Sequence, residues 1–332
     1  MVGIGNAIVD VISIEDHDFI ATHNLLKGAM TLIDHNRAQD LYGAMSATIE
    51  ISGGSAANTM AGAAAFGGDV GYIGKVRDDQ LGEVFAHDIR ALGVRFEVLR
   101  ASVGPPTARC LIVVTPDAVR TMNTYLGIST ELHPDDIDPD LVGAAKVLYC
   151  EGYIWDVEIA KEAIRKAISI CSSAGGAISF TLSDSFCVER HHVEWLELVD
   201  RHIDLLFGNE QEICKLYGTG DDFDAAVAAV QGRCKVAALT RGAQGSVLVT
   251  PDEVIEVPPA PLTQVVDTTG AGDLYAAGFL YGYTRQMDLA QCGWLGSLAA
   301  TAVISQFGAR PSAALTHLLA NLNSIRPNSI RF

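Results

Sequence analysis

The sequence predicts an α/β fold: a doubly wound, mostly parallel sheet flanked by helices, with a small β-sheet attached as a lid. Three observations predict it. From about Lys146 onward, apolar β-rich runs alternate with segments of helical spacing, the pattern of parallel strands joined by crossover helices. Residues 53–68 are dense in Gly, Ala and Ser, as a helix packed closely on a sheet requires. Several segments in the first third alternate or are rich in β-formers, with turns between them, and read as an antiparallel sheet.

Taken in order, residues 2–14 form one apolar, β-branched run and read as a single buried strand. Residues 70–74 are the next strand. Residues 81–92 have helical spacing and stop at Gly93, a suitable C-cap. Segments 29–33, 96–101, 107–114 and 120–125 are expected in the small sheet. Strands follow at 147–150, 177–181, 205–208, 236–240 and 246–250, with helices at 157–174, 211–217 and 223–231 between them, and 273–307 is largely helical. The expected organisation is a large nucleotide- and substrate-binding domain of residues 1–12, 51–93 and 126–332. Residues 13–50 and 94–125 form the lid, hinged near Ser13, Glu50–Ser52 and Gly93.

Bulk properties narrow the function. The 332 residues are 49% apolar and 19% charged, enough core and little enough charge to exclude a disordered chain. A net charge of −17 disfavours nucleic acid and anionic membrane surfaces as partners. It leaves room for a small phosphorylated ligand that brings its own Mg2+. No apolar run reaches the ~18–20 residues of a membrane helix, and the first residues lack the basic-then-apolar order of a secretory signal. Seven scattered cysteines without a CxxC pair fit reduced thiols in a cytoplasm.

The segment with most chemistry is Asp267-Thr268-Thr269-Gly270-Ala271-Gly272-Asp273, leading into a helix. Its glycines allow a sharp turn and close backbone approach. The helix start offers free N–H groups and the positive dipole end to a phosphate, or to charge growing on a transferring phosphoryl group. Asp273 is placed to take the proton of an attacking hydroxyl, or else is a simple N-cap. Gly3-Ile4-Gly5-Asn6 lacks the third glycine of a dinucleotide fingerprint, and Gly74-Lys75 lacks the spacing of a Walker loop.

With Gly53-Gly54-Ser55-Ala56-Ala57-Asn58 upstream, the 267–273 segment resembles the paired signatures of the ribokinase-like (PfkB) family of carbohydrate and nucleoside kinases, over nearly the whole chain. The resemblance implies ATP as co-substrate, Asp273 as base, and an anion hole from Gly270, Ala271 and Gly272. It implies an acceptor held by Asn6, Asp10, Gly53, Gly54, Ser55 and Asn58; an ionised Asp10 is a pure hydrogen-bond acceptor, suited to sugar hydroxyls. Asn209 and Glu212 match the family's NxxE element, with Glu212 acting on Mg2+ through water. Alone the same spacing is an ordinary capping box. Thr240, Gly242 and Gly245 match the turn lining the ATP site. The 267–269 loop (Asp267, Thr269) and the 303–312 stretch (Gly308, Ser312) resemble loops that hold a monovalent cation such as K+.

Within the family the chain looks closest to the adenosine kinases. The segments 149–153 and 182–186 resemble their central strands, and Arg120 falls where they carry a phosphate-facing arginine on the lid. Ile8, Ser55, Met122, Leu126, Tyr153 and Phe186 are the expected walls of a base slot. The expected reaction is phosphoryl transfer from ATP to the 5′-hydroxyl of a nucleoside, adenosine foremost. A ribokinase- or fructokinase-like sugar kinase is the alternative, and a non-catalytic nucleoside-binding protein a further one.

Overall fold

The computed structural model describes residues 1–117, 119–324 and 328–330. Ala118, inside the expected lid, and residues 325–327 and 331–332, at the end of the expected large domain, lie outside the described residues. The chain opens with β1 (Val2–Ile4), β2 (Ile8–Ile14), α1 (His17–Thr22), β3 (Met30–Leu32), α2 (His35–Ala44) and β4 (Ile49–Gly53). It continues through α3 (Ser55–Ala65), β5 (Gly71–Ile73), α4 (Gln80–Ala91), β6 (Ala108–Val114) and β7 (Arg120–Tyr125). The alternating part follows: α5 (Pro139–Gly143), β8 (Val147–Glu151), α6 (Glu158–Ser173), β9 (Ala177–Thr181), α7 (Ser185–His202), β10 (Leu205–Asn209), α8 (Glu210–Tyr217), α9 (Phe223–Val230) and β11 (Val236–Thr240). Last come β12 (Ser246–Val249), β13 (Val254–Val257), α10 (Ala271–Tyr283), α11 (Leu289–Ile304) and β14 (Asn328–Ile330).

The large sheet runs β14-β13-β12-β11-β10-β9-β8-β1-β5. Pairing is parallel from β11 through to β5 and antiparallel from β11 out to β14. Each central strand is apolar on both faces, so successive residues enter opposite cores. Val147 and Tyr149 of β8 pack on the side of α3, α10 and α11, whereas Leu148 and Cys150 pack on the side of α6 and α7. That is the signature of a sheet covered on both faces. The carboxyl ends of β1, β8, β9, β10 and β11 share one edge, where open α/β sheets bind ligands.

The small sheet has the order β3-β7-β6-β2-β4. Helices α1 and α2 cover one of its faces, where Val9, Val11, Leu111 and Val113 share a core with Ile20, Leu25, Ala38 and Leu41. The register puts Ile8, Asp10, Ile12 and Ile14 on the other face, with Ile49, Ile51, Met30, Met122 and Arg120 beside them.

Five expectations are corrected. The small sheet is mixed rather than antiparallel, because β2 pairs with β6, and β3 with β7, in parallel. The run 2–14 is two strands in two sheets: after β1 the chain crosses at Gly5–Ala7, where Glu151 at the end of β8 accepts from the Asn6 amide (3.3 Å) and Nδ2 (3.2 Å). The first stretch of chain in the small sheet therefore runs from Ile8 to Gly53, so its joints lie outside Ser13 and 50–52. Residues 96–101 are not a lid strand. Phe96 is buried against Tyr72 and Phe85, and Arg95 exchanges backbone bonds with Val70 and Tyr72, which holds this segment beside β5. The stretch 182–186 is not a strand either: it is the turn from β9 into the start of α7, whose N-cap Asp184 accepts from the Cys187 amide at 2.7 Å.

Candidate active site

The residues expected to hold the acceptor gather at the crossover between the sheets. Asn6 follows β1 and is buried; its Oδ1 has no partner among the described residues, an acceptor left open to a ligand hydroxyl. Asp10 lies inside β2 of the small sheet, paired with Ile51 in the middle of β4. A side chain at Gly53 would stand 2.7 Å from the Asp10 carboxyl, and Gly54 has φ +93° with its α-hydrogen side facing the Asn6 carbonyl, where a Cβ would approach to 2.3 Å. This pair has to be glycine for the turn from β4 into α3 to close over Asp10. Burial pushes the Asp10 carboxyl up to about 6, against the pull of Arg120 and Arg310.

Helices α3 and α10 pack side by side and bring Asp273, the expected base, against Ser55 and Asn58. Asp273 is not the N-cap of α10. That position is Gly270, in the left-handed region at φ +78° and without a side-chain cap, so Asp273 is third in the helix. Its carboxylate accepts from Ser55 Oγ at 2.6 Å and Asn58 Nδ2 at 3.0 Å. Burial pushes it up to about 6, opposed by those two hydrogen bonds and by Arg310. At neutral pH it is ionised and able to accept a proton. Many other helices begin on an Asp whose carboxylate occupies the first-turn amides, as Asp16, Asp34, Asp79 and Asp222 do. Glycine at the start of α10 leaves the Gly270 and Gly272 amides without a partner among the described residues and open to an incoming anion, while the Ala271 amide makes a long bond to the Thr268 carbonyl (3.3 Å).

A recess runs from Asp273 to the residues expected to face the nucleotide. It is lined by Ser55 and Asp273 on one side and by Thr181, Ser183, Asn209, Glu212 and Thr240 at the carboxyl ends of β9, β10 and β11. Asn209 and Glu212 form a full capping box: Glu212 accepts from the Asn209 amide at 2.9 Å and from its Nδ2 at 2.5 Å, and its own amide donates to Asn209 Oδ1 at 2.9 Å. Burial pushes Glu212 up to about 7. With both its oxygens so engaged, Glu212 suits contact with a hydrated ion through water rather than direct ligation. Gly242 and Gly245 form the turn between β11 and β12, both with positive φ.

The segments proposed for a monovalent cation do meet, through one side chain. Asp267 accepts from the Thr269 amide (3.0 Å) and Oγ1 (2.6 Å), from the Gly308 amide (3.0 Å) and from Arg120 Nη1. Burial raises its pKa, but the bonds from Thr269 and Gly308 and the charge of Arg120 outweigh this and hold it below the usual carboxylate range. Ser312 turns away and donates to Gln306. Arg120 thus reaches from the small sheet to the loop before α10, and its buried Nε has no partner among the described residues.

The family model for pfkB family carbohydrate kinases matches residues 22–315. The chain belongs to that family. This pfkB-family kinase is 50% identical to the adenosine kinase from Sinorhizobium meliloti, whose crystal structure superposes with a TM-score of 0.89 over 96% of this chain and 98% of that one. It is 47% identical to a probable sugar kinase from Rhizobium etli CFN 42, with a TM-score of 0.91 and 98% of each chain covered. Among curated relatives, the aminoimidazole riboside kinase of Salmonella typhimurium is 29% identical over 261 residues, 77% of this chain and 79% of that protein.

Of the residues expected from sequence, the kinase brings Ser55, Asn58 and Asp273 into direct contact and places Asn6, Asp10, Gly53 and Gly54 around them. One expected wall is out of place, and another is tied down beside the recess. Phe186 stands on the first turn of α7 and is 71% exposed, so it lines nothing. The Tyr153 hydroxyl is tied to the Ser183 carbonyl at 3.2 Å, joining the ends of β8 and β9. Three site residues were missed. Glu151, pushed by burial up to about 7, holds the crossover and the Ala56 amide (2.8 Å). Ser183 has φ +65°, a backbone state rare outside glycine, at the mouth of the recess. Arg310 was read only as part of a loop, yet its guanidinium enters the acceptor site. The first and last carried the same faint sign in sequence, a charge inside an otherwise apolar or small-residue segment.

Proposed function

We propose that this kinase transfers the γ-phosphoryl group of ATP to the 5′-hydroxyl of a nucleoside, with adenosine the first candidate. The observation that carries the choice is the open face of the small sheet. Around Asp10 it presents Ile8, Ile12, Ile51, Met30 and Met122, and further out Ile49 and Leu32; Ile49 is 64% exposed and Leu32 52%. A free sugar would leave that face wet, whereas a nucleobase covers it while the ribose hydroxyls reach Asp10 and Asn6. The likeness to the Sinorhizobium meliloti adenosine kinase supports the same reading.

In this mechanism Asp273 accepts the proton of the 5′-hydroxyl as its oxygen attacks the γ-phosphorus and ADP departs. The amides of Gly270, Ala271 and Gly272 and the positive end of α10 meet the charge on the transferring oxygens. Arg120 stands beside this loop through Asp267 and adds positive charge on the phosphate side. Mg2+, arriving with ATP and held through water by Glu212, would neutralise the phosphates. The K+ reading of the 267–269 and 303–312 loops rests on their adjacency alone. Seven buried, free cysteines accord with a reducing, cytoplasmic setting, and no described helix is long and apolar enough to cross a membrane.

The test is an acceptor screen with ATP and Mg2+, comparing adenosine, ribose and fructose by ADP release. Turnover with adenosine well above that with either sugar is expected. Preference for a sugar would move the assignment to the sugar kinases, and acceptor-independent silence would remove catalysis altogether.

A further inference from the structure

We propose that Arg310 is the positioning residue of the base, and that it makes Asp273 competent only when the small sheet is seated. The inference rests on Asp273 being the base, but not on which acceptor is used. Arg310 lies in the loop after α11 and makes three hydrogen bonds, to three different residues. Nε donates to Asn58 Oδ1 at 2.9 Å, Nη2 to the Gly53 carbonyl at 3.1 Å, and Nη1 to Ser52 Oγ.

The first bond fixes the sense of an otherwise ambiguous amide. Asn58 can present either its oxygen or its NH2 to a neighbour. With Oδ1 held by a guanidinium, which can only donate, the NH2 is left facing Asp273 at 3.0 Å. Asp273 then receives a donor from Asn58 and another from Ser55, which fixes the plane of its carboxyl group. Without Arg310 the amide is free to turn its oxygen toward the carboxylate, and the two acceptors repel.

The other two bonds run to the last residues of β4, where the small sheet joins α3. Two residues before Arg310, the Gly308 amide donates to Asp267, which in turn holds Arg120 on β7. One loop is thus fastened to the small sheet from both sides, through Ser52–Gly53 and through Asp267–Arg120. A lift of the small sheet that breaks the Ser52 and Gly53 bonds releases the guanidinium that orients Asn58. The orientation of the base is thereby coupled to closure over the acceptor, which limits transfer to water from an empty site.

The experiment compares Arg310→Gln, Arg310→Lys, Ser52→Ala and Asp273→Asn in steady-state kinetics across pH, with whichever acceptor the wild type turns over. For Arg310→Gln we expect kcat to fall by about 10–100-fold while KM for ATP changes less than about threefold, the pattern of lost orientation rather than lost nucleotide binding. The acid limb of kcat should move to higher pH, because the positive charge that faces Asp273 and Asp10, with Asp88 and Tyr72 also near it, is gone. Arg310→Lys keeps the charge but not the fork, so it should hold the acid limb near its wild-type position while recovering little of kcat. Ser52→Ala removes one bond at the small-sheet side; kcat should fall by about two- to fivefold with no shift of the limb. If Asp273→Asn is inactive while Arg310→Gln keeps kcat within twofold and an unmoved acid limb, the Arg310 proposal is overturned and the base assignment stands. If Asp273→Asn retains turnover, the base assignment itself fails. Should Arg310→Gln not fold, full kcat in Arg310→Lys would overturn the proposal by the same logic.

Discussion

Replacing Asp273 by Asn tests the base and its environment together, because activity and stability should move in opposite directions. The carboxylate is raised from 3.8 to about 6 by burial. In the folded chain it therefore keeps its proton over a range where the unfolded chain has lost it. Stability contributed by that proton is fully present below about pH 4 and declines as pH rises through about 6. A displacement of about two pKa units corresponds to at most ~3 kcal/mol of destabilisation, fully developed by pH 8. The Asn side chain carries no charge and can still take a bond from Asn58 Nδ2 and give one to the Ser55 hydroxyl. The variant should consequently melt at a higher temperature than wild type at pH 8, with the gap closing toward pH 4. Its turnover should drop by about 10²–10⁴-fold, the usual contribution of a general base. ADP release with adenosine gives the first number and thermal melts at pH 4, 6 and 8 give the second. Turnover within a few fold of wild type would refute the base. A variant less stable than wild type at pH 8 would refute the account of a destabilised buried charge.

Three further outcomes follow from the same geometry. Asp10→Ala should weaken adenosine binding by about 2–3 kcal/mol by calorimetry and leave ATP affinity nearly unchanged, since a hydrogen-bonding charge is lost on the acceptor side alone; loss of ATP binding instead would mean the two halves are reversed. Arg120→Ala should lower kcat more than it weakens adenosine binding, because the arginine reaches the phosphate side through Asp267; an effect confined to adenosine affinity would place it on the acceptor. Hydrogen exchange in residues 8–14, 30–53 and 108–125 should slow with adenosine more than with ATP; equal protection with and without adenosine would rule out a sheet that closes on the acceptor.

What the sequence made legible followed the strength of local patterns. The strands at 177–181, 236–240 and 120–125 have the bounds expected from their apolar runs. Paired glycine signatures led directly to Ser55, Asn58 and Asp273, because tight turns and uncapped helix starts leave a strong mark in residue type. The crossover at Gly5–Ala7 left none: the apolar run continues through it, and the Glu151 carboxyl that holds Asn6 there is distant in sequence. The helix at 185–202 was missed because Ser183 and Asp184 were grouped with the preceding strand rather than read as a turn and a cap. Arg310 stayed hidden because its partners at 52, 53 and 58 lie some 250 residues away, and its faint local sign, a charge among small and apolar residues, does not name them.

The division of labour between the two sheets has a consequence for how such an enzyme can change. Asp273, the uncapped start of α10 and the ends of β9 to β11 belong to the large body, while the apolar side chains flanking Asp10 stand on the small sheet. On the proposed reading, substituting Ile12, Ile51, Met30 or Met122 would alter what fits beneath that sheet without changing Asp273, the start of α10 or Arg120. A lineage could therefore drift from one hydroxyl-bearing metabolite to another through a few exchanges on one surface. The names carried by its relatives, which span riboside, adenosine and sugar kinases, are what such drift would leave behind.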